Sequence, residues 1–163
     1  MHHFDFRQNL IVPGITNQMG VVPFETDMLV ITKSGKAYGF EIKVSKSDLK
    51  ADFRKPQHNQ DTQAGFERYY KKFKYFYYAI PLDMREFALS MIPDFCGLVC
   101  IEKRQQGTQI IRKLTIEKAP KKLFDYTWGH NEQYEVARLG TMRQYTLMHN
   151  IANYFETIKQ KEG

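Results

Sequence analysis

The chain has 163 residues, 42% hydrophobic and 14% aromatic, which suits one packed domain and excludes a disordered or low-complexity protein. No apolar run approaches the roughly 18 residues of a membrane span, and the opening MHHFDFRQNL has no secretory pattern. The net charge of +6 falls entirely within residues 33–74, which hold eleven Lys or Arg against five Asp or Glu. A basic surface beside a carboxylate pocket attracts a polyanion, and the alternative is a solvated helix face.

The first twenty residues give one short strand, Leu10-Ile11-Val12, ended by Pro13-Gly14. His2 and His3 are weak ligand candidates. Residues 25–43 read as two strands about a turn at Ser34-Gly35-Lys36, where Gly35 supplies positive φ. Asp27, Leu29 and Ile31 alternate with Met28, Val30 and Thr32, the two-residue period of a strand. In the second strand, residues 37–44, Gly39, Glu41 and Lys43 share one face. Tyr38, Phe40, Ile42 and Val44 form the other, expected to be the core face.

Ser45-Lys46-Ser47-Asp48 reads as a capping box before a helix over residues 47–53. Leu49 and Phe53 form its inner stripe, while Lys46, Lys50, Arg54 and Lys55 face outward. Residues 57–65 are expected to form a polar loop with His58 hydrated. A helix over 66–73 leads into an apolar strand, 74–80, stopped by Pro81. A helix over 82–91, a strand over 97–102 and a charged edge strand over 109–116 follow. Cys96 and Cys100 fit no zinc spacing and read as buried, reduced thiols, which implies a cytoplasmic location. Residues 118–130 are linker-like and contain Trp128. Asn131 is the expected cap of a long last helix reaching about residue 157, interrupted by Gly140 at a cost of about 1 kcal/mol. The predicted fold is therefore α/β, a mixed central sheet flanked by helices, in one domain with its core over about 9–118.

Glu41 and Lys43 point the same way, about 6.5–7 Å apart along their strand. Hairpin pairing brings Asp27 beside them. Two carboxylates can hold a hard divalent cation such as Mg²⁺, which prefers oxygen ligands and keeps several waters. An adjacent ammonium can orient an attacking water and steady charge on a phosphodiester.

Asp27 followed by Glu41-Ile42-Lys43, and the continuation VSKSDLKADF, resembles the PD-(D/E)xK nuclease superfamily over residues 9–103. The Pro-Asp pair of that pattern is absent, Pro23 standing four residues before Asp27. The resemblance implies a restriction-endonuclease-like core and a Mg²⁺- or Mn²⁺-dependent deoxyribonuclease. Asp27, Glu41 and Lys43 would be catalytic, with Glu25 the stand-in for a further acidic ligand beside Asp27 and Glu41. Lys46, Lys50, Arg54 and Lys55 would grip DNA phosphates, and a homodimer is common in such nucleases. The alternative is a nucleic-acid-binding domain of the same fold with little or no cleavage. A third reading leaves Glu41 and Lys43 as a surface ion pair worth under about 1 kcal/mol.

Overall fold

The computed structural model describes residues 7–17, 20–58 and 62–162, with side chains described as far as Tyr154. His2 and His3 lie outside these residues. Six strands form one mixed sheet in sequence order: β1 (Leu10–Ile15), β2 (Thr26–Ile31), β3 (Ala37–Ile42), β4 (Tyr75–Pro81), β5 (Gly97–Gln106) and β6 (Gln109–Lys118). The β1–β2–β3 meander and the β5–β6 hairpin are antiparallel, and β3, β4 and β5 run parallel. Parallel neighbours require crossovers. These carry α1 (Lys46–Asp52) and α2 (Gln63–Tyr70) between β3 and β4, and α3 (Arg85–Leu89) between β4 and β5. A long α4 (His130–Glu162) closes the chain.

The larger core lies on the sheet face that carries Ala37, Leu29, Phe76, Tyr78 and Leu98. Leu49 of α1, Tyr70 of α2, Ala88 of α3 and Val136 of α4 all pack there. Phe24, Tyr69, Tyr70, Phe73 and Phe76 interlock beneath the sheet with centroids 5.5 to 6.2 Å apart. Each such aromatic pair adds about 1 kcal/mol beyond its buried area. The opposite face holds a smaller cluster made by strand residues alone, with Phe40 stacked on Tyr77 at 4.9 Å.

β3 departs from expectation at its end. Phe40 is buried, but Ile42 is 42% and Val44 74% exposed, so the apolar face does not remain core. It is Glu41 and Lys43, on the face covered by helices, that are buried, at 2% and 5% exposure. The reason is geometric. The sheet pairing of β3 ends at Ile42, opposite Ala79, and the chain turns into α1 across the larger core.

Other elements differ in extent. β1 continues through Pro13 and Gly14, which an edge strand tolerates because proline has no N–H to lose from the ladder. The polar stretch expected as a loop contains a helical turn, Pro56–His58, and the start of α2. The helix expected over 82–91 divides into a tight turn, Leu82–Met84, and α3. Ser45 caps α1, its Oγ accepting from the Asp48 amide at 3.1 Å. Asn131 lies inside α4 rather than at its cap. Glu132 Oε2 instead accepts from the Gly129 amide at 3.1 Å. Gly140 has a packing role: a Cβ there would stand 2.6 Å from Val12 Cγ1, so its absence lets α4 lie directly on β1. Cys96 and Cys100 are both buried free thiols. Among the described residues no helix is long and apolar enough to cross a membrane.

Candidate functional site

One step beyond the Met28–Phe40 pair, the β2–β3 register sets Asp27 opposite Glu41, and the two-residue period puts Lys43 on the same face. The three side chains meet. Lys43 Nζ donates to Glu41 Oε2 at 2.7 Å and lies 3.9 Å from Asp27 Oδ2. Asp27 is held from below, its Oδ2 accepting the Ile42 amide at 2.7 Å, while its side chain stays 40% exposed. The arrangement is a short well with Glu41 at the bottom and Asp27 at the mouth.

Five further residues build the wall, and of these Lys55 was expected as a phosphate grip. Asp52, fully buried at the end of α1, lies 3.1 Å from Lys43 Nζ and 2.6 Å from Lys55 Nζ through Oδ1. Its Oδ2 accepts from Tyr78 Oη at 2.8 Å and lies 3.0 Å from His58 Nε2. His58 Nδ1 is 3.2 Å from Tyr70 Oη. His58 Nε2 is also 3.2 Å from Tyr78 Oη, so the ring is held between Asp52 and two tyrosine hydroxyls. The His58 ring is buried, contrary to the expectation of a hydrated loop histidine.

The electrostatics separate the groups by role. Burial pushes the Glu41 carboxyl up from 4.5 to about 7, against the hydrogen bond and charge of Lys43 and with help from the Asp52 and Asp27 charges. Burial alone would lower the Lys43 amine, but the hydrogen bond and charge of Glu41, then Asp52, hold it above its ordinary value. Burial also disfavours the Asp52 carboxylate, yet the hydrogen bonds of His58, Lys55 and Tyr78, then the Lys43 charge, hold it well below the usual carboxylate range. Asp52 is thus a fixed anion and Lys43 a fixed cation. Glu41 is the group whose charge is left to the surroundings.

The remaining expected residues are distributed elsewhere. Glu25 is exposed in the connection before β2, which starts only at Thr26, so it does not share the strand face of Asp27. Lys46 and Lys50 are exposed on α1 and lean over the Phe87 ring at 5.4 and 5.5 Å, toward α3. Arg54 is exposed just beyond the end of α1. Lys55 joins the site as a partner of Asp52 and lies 3.9 Å from Glu41 Oε2.

Comparisons with known proteins bear on the fold alone. No family model and no curated protein matches the chain. A solved structure of a protein of unknown function from Silicibacter pomeroyi is similar, with a TM-score of 0.52 and 13% identity over 90% of this chain and 82% of that one. That likeness extends to the architecture and carries no activity with it.

Among the described residues, no group of three or more His, Cys, Asp or Glu is arranged to hold a metal ion. Two carboxylates do converge, and a magnesium site needs few protein ligands because the ion keeps its waters. Glu41 Oε1 is buried and has no hydrogen-bond partner among the described residues. Such an atom normally finds a partner, and a cation between Glu41 and Asp27 would supply one. The donor set therefore fits a hard divalent ion.

Proposed function

We propose that the protein is a divalent-metal-dependent phosphodiesterase acting on DNA, of the PD-(D/E)xK type. The observation that carries this reading is the convergence of Asp27, Glu41 and Lys43, with Glu41 Oε1 buried and unpartnered at its centre. Asp27 and Glu41 would hold Mg²⁺ or Mn²⁺, and the carbonyl oxygen of Ile42 is a further donor at the same point of the chain. The ion, when bound, would polarise a phosphoryl oxygen and acidify a water. Lys43 stays an ammonium throughout, so its task is to hold the attacking water or a phosphoryl oxygen by hydrogen bonding, not to take up a proton. Asp52 keeps that ammonium aimed at the carboxylates, and Tyr78 and His58 keep Asp52 in place. Two buried free thiols agree with a reducing cytoplasm.

A second reading has its own support. Lys43 and Lys55 already neutralise much of the site, an arrangement that would also serve a domain that binds nucleic acid without cutting it. One assay separates the two: incubation with mixed DNA substrates and Mg²⁺ or Mn²⁺, beside Asp27→Asn and Lys43→Ala. We expect wild-type nicking or degradation, and at least about a hundredfold loss in both variants with folding and DNA affinity retained. Cleavage by Lys43→Ala at the wild-type rate overturns the mechanism, and no cleavage by the wild type leaves the binder.

A further inference from the structure

The basic residues of α1 lean away from the well, yet a DNA strand must be held beside it. The side of the well opposite α1 is formed by β1 and α4. Asp27 and Ile42 line a cleft of about 390 Å³ whose far wall is Arg143, Gln144 and Leu147 of α4. A second cleft of about 630 Å³ shares Gly14, Arg143 and Leu147 with the first and adds Thr16, Thr146 and Asn150. The two clefts therefore meet at Arg143 and form one path that ends on Asp27.

Arg143 is set into this path by the backbone. The β1–β2 register places Gly14 opposite Asp27, and Arg143 Nη1 donates to the Gly14 carbonyl oxygen. Gly14 has φ +58°, and a Cβ there would lie 2.5 Å from Arg143 Cζ. The guanidinium thus occupies the space that any side chain at position 14 would fill. One of its five N–H donors is directed at Gly14, and the exposed remainder presents the planar fork that matches a phosphate. An arginine fixed across the strand from Asp27, with neutral hydrogen-bonding side chains further along, has the chemistry of a track for a phosphodiester backbone.

We propose that the cleft between β1 and α4 is the DNA-strand track, and that Arg143 holds a phosphate next to the one aligned on Asp27 and Glu41. This rests on the phosphodiesterase reading for the identity of the ligand. It assigns phosphate contact to a helix outside the basic segment and not to Lys46, Lys50 or Arg54.

The test is binding of a short fluorescein-labelled single-stranded oligonucleotide in EDTA, by anisotropy over a salt series. Arg143→Gln should weaken affinity about tenfold and reduce the slope of log K against log salt by about 0.7. Arg143→Lys should keep the slope. Gly14→Ala, which displaces the guanidinium without changing net charge, should weaken affinity as Arg143→Gln does. Arg112→Gln on β6, with the same loss of charge, should bind like the wild type. Melting curves show which variants are folded, and loss of a merely structural staple between α4 and β1 would not move the salt slope of a folded variant. An unchanged slope in Arg143→Gln, an equal loss in Arg112→Gln, or a wild type that does not bind overturns the track. A second arm adds Mn²⁺. Wild-type cleavage with an unchanged Arg143→Gln salt slope sinks the track and keeps the hydrolase. Arg143-dependent binding without cleavage sinks the hydrolase and keeps the track.

Discussion

Glu41→Gln is expected to make the metal-free protein more stable at pH 8, although it removes a residue paired to Lys43. The carboxyl rises from 4.5 in the unfolded chain to about 7 in the folded one, mainly through burial. Below about pH 4.5 both states carry the proton and the shift has no effect. Between 4.5 and 7 the folded state keeps a proton that the unfolded state has lost, so stability falls as pH rises. Above 7 the full penalty applies, about 3 kcal/mol from the size of the shift. Glutamine has the shape of the protonated form and escapes this penalty. For a chain of this size that corresponds to a melting point higher by about 5–10 °C at pH 8, shrinking to nothing as the pH falls below about 4.5. Thermal unfolding across that range, with and without millimolar Mg²⁺ or Mn²⁺, reads the effect. The cation should raise the wild-type melting point at pH 8 and leave Glu41→Gln unmoved, because only the carboxylate gains a ligand. A variant less stable than the wild type at pH 8 without metal would refute the reasoning. It would mean that Lys43 and Lys55 more than offset the burial of the anion, making Glu41 a structural ion-pair member.

On the proposed phosphodiesterase reading, the same carboxyl would set the metal dependence of cleavage. Below pH 7 the ion must displace a proton from Glu41, so its half-saturating concentration should rise about tenfold per pH unit and level off above 7. Initial rates over a metal series at several pH values test this, and a flat dependence contradicts it. Asp52→Asn removes the buried carboxylate that faces Lys43 beside Glu41 and that also holds Lys55, His58 and Tyr78. We expect a stability loss of about 3–5 kcal/mol by urea unfolding, and a loss under about 1 kcal/mol would show that Asp52 is not the anchor.

Much of the fold was legible because its central strands are rich in β-branched and aromatic residues and are bounded by turn residues. Thr26–Ile31 and Ala37–Ile42 are buried on both faces over most of their length, and Tyr75–Ile80 shows the continuous apolar run that such cover produces. The errors fall where burial stops supplying the signal. β5 and β6 extend to Gln106 and back from Gln109 as an exposed hairpin, held by backbone pairing from Glu102 to Gln109. Exposed residues there need no alternation, so β5 reads as ending at Glu102. At Ile42 and Val44 alternation continued after the sheet had ended, and apolar residues read as core stand in solvent.

The site was legible to the extent that it lies on one strand and its neighbour. Asp27, Glu41 and Lys43 follow from period and register, whereas Asp52, His58 and Tyr78 arrive from three other elements. One signal did exist: Asp52 is three residues after Leu49, on the inner stripe of α1, and an acid placed there must find partners on burial. The charge count says less about the surface for a related reason. A surplus over residues 33–74 becomes a basic surface only if those cations lack partners from elsewhere. Lys36 pairs with Asp125 and Lys72 with Glu132, both acids from outside the segment. Lys43 and Lys55 close on Asp52 and Glu41, and Lys46 and Lys50 lie over Phe87. Folding thus carries acids into the basic segment and leaves an equal positive excess elsewhere on the chain, since the net charge is fixed at +6. The cation that reaches the mouth of the well from outside that segment is Arg143, on a helix that sequence counting left balanced.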